Sequence, residues 1–355
     1  MTPETNPSEW PLQKQAEFIS KLYGLLGGAI TTVVYSQQGE DTVVQWRETV
    51  LHNHQREYFL QGLEKLGVEY EKEPGAVVAA KYHYFSNALG GIDMEMFVES
   101  PKKAWIRYNP PFGPAGLAWL AIPPRMGRAI FAGWHPYNGV RLNNPRLGFV
   151  LSKAFGDGEP YAEGYFYEYD HDLADEERFQ FDPNATMPEY DPERAPKLDP
   201  EAWPADRRSK ALRNFGRGYI EESVLALQQV IGTPVTAHLV KRAYEGVALQ
   251  YGKELLAELG IAGRDAGSLA LFTKYLSDMA GDTVDLTSPE PDRHVLRITR
   301  RRLFEGSSSS AEVLKGMFGF IHMLSRMMGS RVRATLTAQV EEGAPYDEMV
   351  FEDVR

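Results

Sequence analysis

The sequence predicts an α+β protein built from two related units, each a group of helices followed by an antiparallel sheet. An eleven-residue pattern that begins at Gly158 returns near the C-terminal end, beginning at Gly343, with Gly, Pro, Tyr, Glu and Phe in register. The segments before the two patterns show helix and strand signals in the same order. We therefore predict an internal duplication, with the function in only one of the two copies.

Composition and charge narrow the class of protein. The chain has 355 residues, of which 43% are apolar, so it can form two domains with full cores. A net charge of −11 disfavours nucleic acid or an anionic membrane as a partner. The absence of cysteine excludes disulfides, thiolate metal sites and a cysteine nucleophile. We expect a cytoplasmic protein that spans no membrane and acts on a small organic molecule.

The first unit, residues 1–171, begins with two predicted helices. Apolar residues recur at helical spacing over 12–36 and again over 41–66, and Gly67 ends the second helix. Residues 76–89 have conflicting propensities and fit either a helix or a strand. An apolar helical stretch ends at Phe131. Strands are predicted at 92–98, 104–108, 147–155 and 161–169, the last two as a hairpin.

Residues 172–206 differ from the rest of the chain because they are acidic and contain regularly spaced prolines. This spacing forbids a helix or a central strand, so we predict a linker that wraps the surface. A functional lid is the alternative.

The second unit, residues 207–355, repeats the order of the first. Its helix 311–328 is rich in methionine, which fits a core helix or a homodimer contact through Met317–Met328. The remaining helices are predicted at 208–231, 234–259 and 267–279, and the strands at 282–286, 294–299, 331–340 and 346–351.

The two copies differ in the polarity of one helix face. On a helical wheel, His54 falls in the middle of an otherwise apolar face, with Arg47 and Glu57 beside it. In the second copy Val240 and Val247 take the places of Arg47 and His54. Buried polar groups are costly unless they are paired. The face therefore predicts either a buried polar network or a ligand pocket in the first copy.

Histidines and carboxylates of the first copy are the candidate catalytic groups. A histidine could act as a general base, with a carboxylate nearby. The same side chains could supply nitrogen and oxygen ligands to a zinc or iron ion, although no spacing here is diagnostic of a metal site. The candidates for both roles are His54, Glu57, His83 and His135.

Aromatic and cationic residues of the same copy are the candidate substrate-binding groups. An aromatic-lined cavity suits a planar organic ligand, and a cation could hold a substrate carboxylate. These candidates are Arg47, Lys81, Tyr82, Trp134, Tyr137 and Asn138. Together the two sets predict a hydrolase or lyase that acts on an aromatic or carboxylate-bearing compound. A non-catalytic binding or sensory protein is the alternative.

The repeated hairpin pattern Gly-x-Pro-Tyr-x-Glu-x-x-Phe also resembles two known families. It is similar to the vinyl-reductase-type small-molecule-binding domain and to the L-2-amino-thiazoline-4-carboxylate hydrolase-like proteins. The resemblance implies small-molecule binding and, in some members, hydrolysis of a carbon–nitrogen bond. Those hairpins often have a cysteine where this chain has Ala162 and Asp347, so a thiol-dependent activity is not implied here.

Overall fold

The computed structural model describes residues 6–111, 123–307 and 309–354. Over these ranges the protein is α+β, with helices and two sheets, and so agrees with the predicted fold class. Much of the helical stretch that we predicted before Phe131 lies in 112–122, outside the described residues.

The chain divides into two compact units that do not follow chain order. One unit is Val34–Phe215, and the other combines the chain up to Val33 with the chain from Gly216 onwards. The start of the first predicted copy thus belongs to the same compact unit as most of the second. The boundaries at 171 and 207, which we predicted from the repeated pattern, stay a prediction.

The first long helix, α1 (Leu12–Leu66), contains a kink at Gly39, where φ is 81° and ψ is 178°. Glycine reaches this backbone conformation without the steric cost that a side chain would add. The kink falls between the two helices predicted at 12–36 and 41–66 and agrees with their separation. Gly232, with φ 79°, similarly separates α5 (Ala205–Ile231) from α6 (Thr233–Glu258).

One 18-residue window of α1 is apolar enough to span a membrane, with a mean hydropathy of 1.3. More than half of this window, 56%, is buried inside the protein, as in a core helix. The window is therefore weak evidence for a membrane span.

In the unit Val34–Phe215, the ambiguous segment 76–89 is helical and belongs to α2 (Gly75–Leu89). This helix packs against a sheet with the strand order β1-β2-β4-β3-β5. Alternate strand residues and the inner face of α2 form its apolar core, which includes Ile106, Phe149 and Phe166. The other elements are β1 (Met94–Ser100), β2 (Lys103–Tyr108), α3 (Pro124–Ala132), α4 (Tyr137–Arg141), β3 (Leu147–Lys153) and β4 (Ala162–Glu168).

Residues 172–206, which we call the strap, run along this unit without a helix of more than one turn until α5 begins at Ala205. Their short strand β5 (Phe179–Phe181) pairs in parallel with the edge strand β3. The strap is fixed at intervals by the buried side chains of Leu173, Met187, Ala195 and Trp203. That these residues link two repeats stays a prediction.

In the other unit, the sheet has the strand order β6-β7-β9-β8. Its helix α9 (Gly319–Met328) buries Phe320, Ile321 and Leu324 in the protein interior, as a core helix does. The remaining elements are α7 (Ala266–Ala280), β6 (Thr283–Glu290), β7 (Arg293–Arg300), α8 (Ala311–Met317), β8 (Val332–Ala338) and β9 (Asp347–Asp353).

The repeated hairpin pattern has the same backbone turn in both sheets. In each hairpin one 3₁₀ turn ends at a glycine in the left-handed conformation, Gly158 with φ 87° and Gly343 with φ 91°. The first residue of the pattern is thus required by the turn, since glycine adopts a positive φ at no steric cost.

The glutamates of the pattern form equivalent cross-strand ion pairs. Arg107 on β2 contacts Glu163 on β4, with nitrogen–oxygen distances of 2.8 and 2.6 Å. Arg297 on β7 contacts Glu348 on β9 in the same way, at 2.7 Å. Both arginines therefore connect neighbouring strands of their sheets.

The tyrosines of the pattern stack on the same arginines. The guanidinium of Arg107 lies 4.4 Å from the centroid of the Tyr161 ring, and that of Arg297 lies 5.0 Å from the Tyr346 ring. Such cation–π contacts hold the arginine in position for its carboxylate partner. The pattern that dominates the sequence is therefore a structural clamp between strands.

Candidate functional site

A chain of hydrogen-bonded polar side chains lies buried in the unit Val34–Phe215. His83 comes from α2, Tyr108 from the end of β2, His135 from the turn between α3 and α4, Asn138 from α4 and Gln55 from α1. Each of the five is at most 4% exposed. We call these five residues the buried polar chain.

The contacts of the buried polar chain are continuous. Gln55 Nε2 lies 3.3 Å from Asn138 Oδ1, and Asn138 Nδ2 lies 2.9 Å from His83 Nε2. The Tyr108 hydroxyl lies 3.2 Å from His83 Nδ1 and 3.0 Å from His135 Nε2. The chain ends where His135 Nδ1 contacts the Phe131 carbonyl oxygen at 3.2 Å.

One assignment of protons satisfies all of these contacts. A carbonyl oxygen only accepts, so His135 Nδ1 donates to Phe131, and Nε2 of the neutral ring accepts from Tyr108. The Tyr108 oxygen then accepts from His83 Nδ1, and His83 Nε2 accepts from the Asn138 amide. Every donor in the buried polar chain therefore points in the same direction, from Gln55 towards Phe131.

Burial keeps the histidines of this region uncharged. Removal from water lowers the pKa of His135 to about 3, partly offset by its hydrogen bond to the Phe131 carbonyl. Burial, reinforced by repulsion from His135, holds the pKa of His83 well below its ordinary value. The two imidazoles stack with ring centroids 4.1 Å apart, an arrangement that two cations would oppose.

Aromatic rings pack against one side of the buried polar chain. The Trp134 ring lies 5.7 Å from Tyr82, 5.1 Å from His54 and 5.8 Å from His83, measured between centroids. Trp134 is only 4% exposed, and its indole Nε1–H has no hydrogen-bond partner among the described residues. An unpaired buried donor is uncommon because it loses its hydration without compensation.

Glycines position this aromatic group by allowing close contact. A Cβ atom at Gly133 would lie 2.7 Å from the Glu48 carbonyl oxygen of α1, so the turn that contains Trp134 and His135 packs directly on that helix. A Cβ atom at Gly62 would lie 2.5 Å from the Tyr82 ring. The sequence thus places small residues where α1 must approach the site.

Five of the predicted site residues come together here: His83, His135, Asn138, Tyr82 and Trp134. His54 joins them through its contact with Trp134. Its side chain is partly exposed by surface area, yet the protein around the ring lowers its pKa to about 3 by desolvation.

The other predicted site residues take different positions. Glu57 is exposed, so it does not lie on the buried face where the helical wheel placed it. Lys81 forms an ion pair with Glu73. The Arg47 guanidinium lies 4.9 Å from the Trp46 ring centroid, and the Tyr137 ring lies 4.3 Å from that of His52. His52 is half-buried.

The four predicted metal ligands do not form a metal site in the described residues. No group of three or more histidine, aspartate and glutamate side chains is arranged there to hold a metal ion. His83 and His135 use both ring nitrogens in hydrogen bonds within the buried polar chain. We derive no chemistry through a metal at these residues.

Sequence reasoning missed Gln55 and Tyr108. Tyr108 ends a short strand and resembles an ordinary core aromatic, and Gln55 adjoins the more conspicuous His54. Comparison of the two sheets offers one signal. Tyr108 pairs across strands with Met94, and Ile298 pairs with Val284 at the matching place of the other sheet, so a hydroxyl replaces an apolar side chain there.

A separate cavity of about 390 Å³ lies in the other compact unit. It is lined by residues that include Trp10, Lys14, Glu258 and Tyr275. None of the predicted site residues lines it, and we do not assign it to the site.

No family model matches the chain, and no curated protein matches it either. The resemblance of the hairpin pattern to small-molecule-binding and hydrolase-like families therefore stays a prediction.

Proposed function

We propose that the unit Val34–Phe215 binds an uncharged, planar organic molecule. We also propose that the protein arose by internal duplication and that its function is similar to that of the vinyl-reductase-type binding domains. The ligand would lie against the rings of Trp134, Tyr82 and His54. We thus propose a non-catalytic binding protein and not a hydrolase or lyase.

Glycines at matching junctions support the duplication. Gly39 and Gly232 precede the second helix of each copy with φ of 81° and 79°, and Gly67 and Gly260 follow that helix with φ of 73° and 68°. Left-handed glycines are specified by local geometry, so their recurrence in the same order supports a common origin. Further matched pairs are Gly91 with Gly281 and Gly158 with Gly343.

The entry to the first helix of each copy gives independent support. The Lys14 ammonium lies 3.6 Å from the Trp10 ring centroid, and the Arg207 guanidinium lies 3.9 Å from the Trp203 ring. In both places a proline comes directly after the tryptophan, and the cationic residue lies four residues after the tryptophan. The same contact thus recurs at the same residue spacing, and such a recurrence is not expected by chance.

The indole Nε1–H of Trp134 is the observation on which the binding proposal depends. It is a buried donor without a partner in the described part of the chain. Leaving such a donor unpaired costs about 1–3 kcal/mol, which an accepting ligand would recover. A planar molecule with one acceptor atom fits a donor surrounded by aromatic rings.

The charges near the site favour an uncharged ligand. Lys81 is paired with Glu73, and Glu57 faces solvent. The histidines of the site are neutral because burial lowers their pKa values. A carboxylate-bearing ligand would therefore lose its hydration with no cation from these residues to replace it.

The same pKa values favour binding over catalysis. A general base works best when its pKa lies near the working pH. The pKa of His54 and that of His135 are lowered to about 3, so each is a weak base at pH 7. The ring nitrogens of His135 are also occupied within the buried polar chain.

Quinoline and naphthalene test the proposal because they share a shape and differ in one acceptor nitrogen. We expect quinoline to bind the full-length protein more tightly than naphthalene, measured by intrinsic fluorescence or calorimetry. Trp134→Phe keeps an aromatic ring and removes the donor. It should weaken quinoline binding about 3- to 10-fold, the value of one hydrogen bond, and leave naphthalene binding unchanged.

Trp105→Phe provides the control, since the Trp105 indole nitrogen already donates to Glu99 at 2.7 Å. It should not change the preference for quinoline. Equal affinity of the wild-type protein for the two compounds, or a Trp134→Phe variant that keeps the preference, would contradict the proposed site.

A further inference from the structure

Strand β8 forms an edge of its sheet, at the place that the strap covers in the other sheet. The strand orders are β1-β2-β4-β3-β5 and β6-β7-β9-β8, so β8 takes the place of β3 but has no neighbour equivalent to β5 in the described chain. An open strand edge presents unpaired backbone donors and acceptors that can pair with another chain.

Backbone hydrogen bonds hold β5 on β3, with Phe149, Val150 and Leu151 paired to Phe179, Gln180 and Phe181. The Phe149 N–H donates to the Arg178 carbonyl at 2.8 Å, and the Asp182 N–H donates to the Leu151 carbonyl at 3.0 Å. The Phe179 ring stacks on Phe149, with centroids 6.4 Å apart. A short acidic segment thus adds a parallel strand through main-chain contacts and one apolar side chain.

Strands β3 and β8 correspond residue by residue. Each pairs with its neighbour up to an irregularity, which leaves Ser152 out of register in β3 and Thr337 in β8. The Ser152 hydroxyl lies 3.1 Å from both the carbonyl oxygen and a carboxylate oxygen of Glu163. The Thr337 hydroxyl lies 3.2 and 2.9 Å from the same two groups of Glu348. The match places Ala334 of β8 at the position of Phe149.

The same match identifies the backbone groups of β8 that face the open edge of its sheet. The Ala334 N–H and the Leu336 carbonyl take the positions of the Phe149 N–H and the Leu151 carbonyl, which bond β5 in the other sheet. Thr335 and Thr337 of β8 are exposed, so solvent reaches this strand. The side chain of Ala334 is also smaller than that of Phe149 at the matching position.

Charge indicates what binds there. Arg331 and Arg333, at the start of β8, are both exposed, and neither forms an ion pair within the described residues. The segment that pairs with β3 is acidic around its strand, with Asp175, Glu176 and Glu177 before it and Asp182 after it. We propose that β8 binds an acidic, extended segment of a partner protein as a parallel strand, with its carboxylates near Arg331 and Arg333.

A peptide copy of residues 174–183 is the probe, because the chain itself shows that this segment forms such a strand. The peptide, labelled with a fluorophore, should bind the full-length protein in an anisotropy titration. Its affinity should fall as salt is added. N-methylation at Asp182 removes the donor that faces the strand edge and should weaken binding about tenfold. N-methylation at Phe181, whose N–H points away from that edge, is the matched control.

The variant Ala334→Pro removes the N–H of β8 that faces this open edge. Proline is tolerated on an edge strand where the N–H faces solvent, so the variant should keep its circular dichroism spectrum and lose about tenfold in peptide affinity. Arg331→Glu with Arg333→Glu should abolish binding. No binding to the wild-type protein, or equal binding to Ala334→Pro, would overturn the proposal. So would wild-type self-association that Ala334→Pro abolishes, since a second copy would then occupy β8.

Discussion

Tyr108 gives the clearest example of how a single side chain organises the site. Its hydroxyl accepts from one neutral imidazole and donates to another, so three rings from three elements are held by two hydrogen bonds. His83 and His135 could be singled out from the sequence because imidazole is a common general base and metal ligand. Tyr108 could not, since an aromatic residue at a strand end is ordinary core material until the register places it.

Tyr108→Phe should destabilise the protein by about 1–3 kcal/mol, because His83 and His135 each lose a buried hydrogen-bond partner. Chemical unfolding in urea measures this change. Tyr84→Phe is the control. Its hydroxyl lies 3.5 Å from that of Tyr190 in a partly buried position, so its removal should cost less than about 0.5 kcal/mol. Equal losses in the two variants would contradict the role of Tyr108.

The buried histidines predict a loss of stability in mild acid. The folded-state pKa of His135 is lowered to about 3, whereas an unfolded histidine titrates near 6.5. Between about pH 6.5 and 3, His135 therefore binds a proton in the unfolded state but not in the folded state. Stability should fall by about 1.4 kcal/mol per pH unit for this histidine as the pH drops from about 6.5 towards 3.

Urea unfolding at several pH values tests this dependence. His135→Gln cannot titrate but can still accept from Tyr108, so its stability should fall less steeply between pH 6 and 4. Above pH 7 the two curves should run parallel, because His135 is then neutral in both states. Identical slopes below pH 6 would show that His135 is not held neutral by the fold.

At the scale of elements, the repeated hairpin explains both the success and the limit of sequence reasoning. The recurrence of Gly158 as Gly343 and of Glu163 as Glu348 could be predicted by comparing the chain with itself. Their roles could not, because they depend on cross-strand register. Glu163 also accepts from the Met187 N–H of the strap at 3.0 Å and is fully buried, whereas the side chain of Glu348 is 18% exposed.

Glu163→Gln and Glu348→Gln form a matched pair of variants. Glu163→Gln removes a fully buried carboxylate and leaves Arg107 with Glu95 as its remaining partner, at 2.8 Å, so it should cost about 1–3 kcal/mol. Glu348→Gln affects a pair whose arginine is 46% exposed and should cost less than about 1 kcal/mol. Urea unfolding of both variants at pH 7 measures the difference. A larger loss of unfolding free energy for Glu348→Gln than for Glu163→Gln would contradict the assignment of Arg107–Glu163 as the more buried ion pair.

The kink of α1 makes a second prediction at this scale. Gly39→Ala should destabilise the protein by about 1–3 kcal/mol, because φ of 81° with ψ of 178° is strained for any residue with a Cβ atom. Gly246→Ala is the contrasting variant. Gly246 lies within α6 with open space around it, so alanine should stabilise the helix by about 0.5–1 kcal/mol. Thermal unfolding that ranks the two variants in the reverse order would contradict this account of the kink.

At the scale of the whole molecule, the order of elements could be predicted and the grouping of elements could not. The helix periodicity and the echoed hairpin indicate two similar sets of elements. The assignment of residues up to Val33 to the same compact unit as Gly216 onwards depends on packing, which no local pattern encodes. The helical wheel likewise located His54 near the site but misplaced Glu57, because it treats a helix face as uniformly buried.

The buried polar chain of the unit Val34–Phe215 is uncharged. Where the unit Val34–Phe215 has Tyr108, the other has Ile298. The ¹⁵N chemical shifts of the histidine rings test this claim most directly, with His83→Gln and His135→Gln used for assignment. At pH 7 we predict that His83 and His135 are both neutral and carry their proton on Nδ1. A charged ring, or a proton on Nε2 of either histidine, would contradict the account.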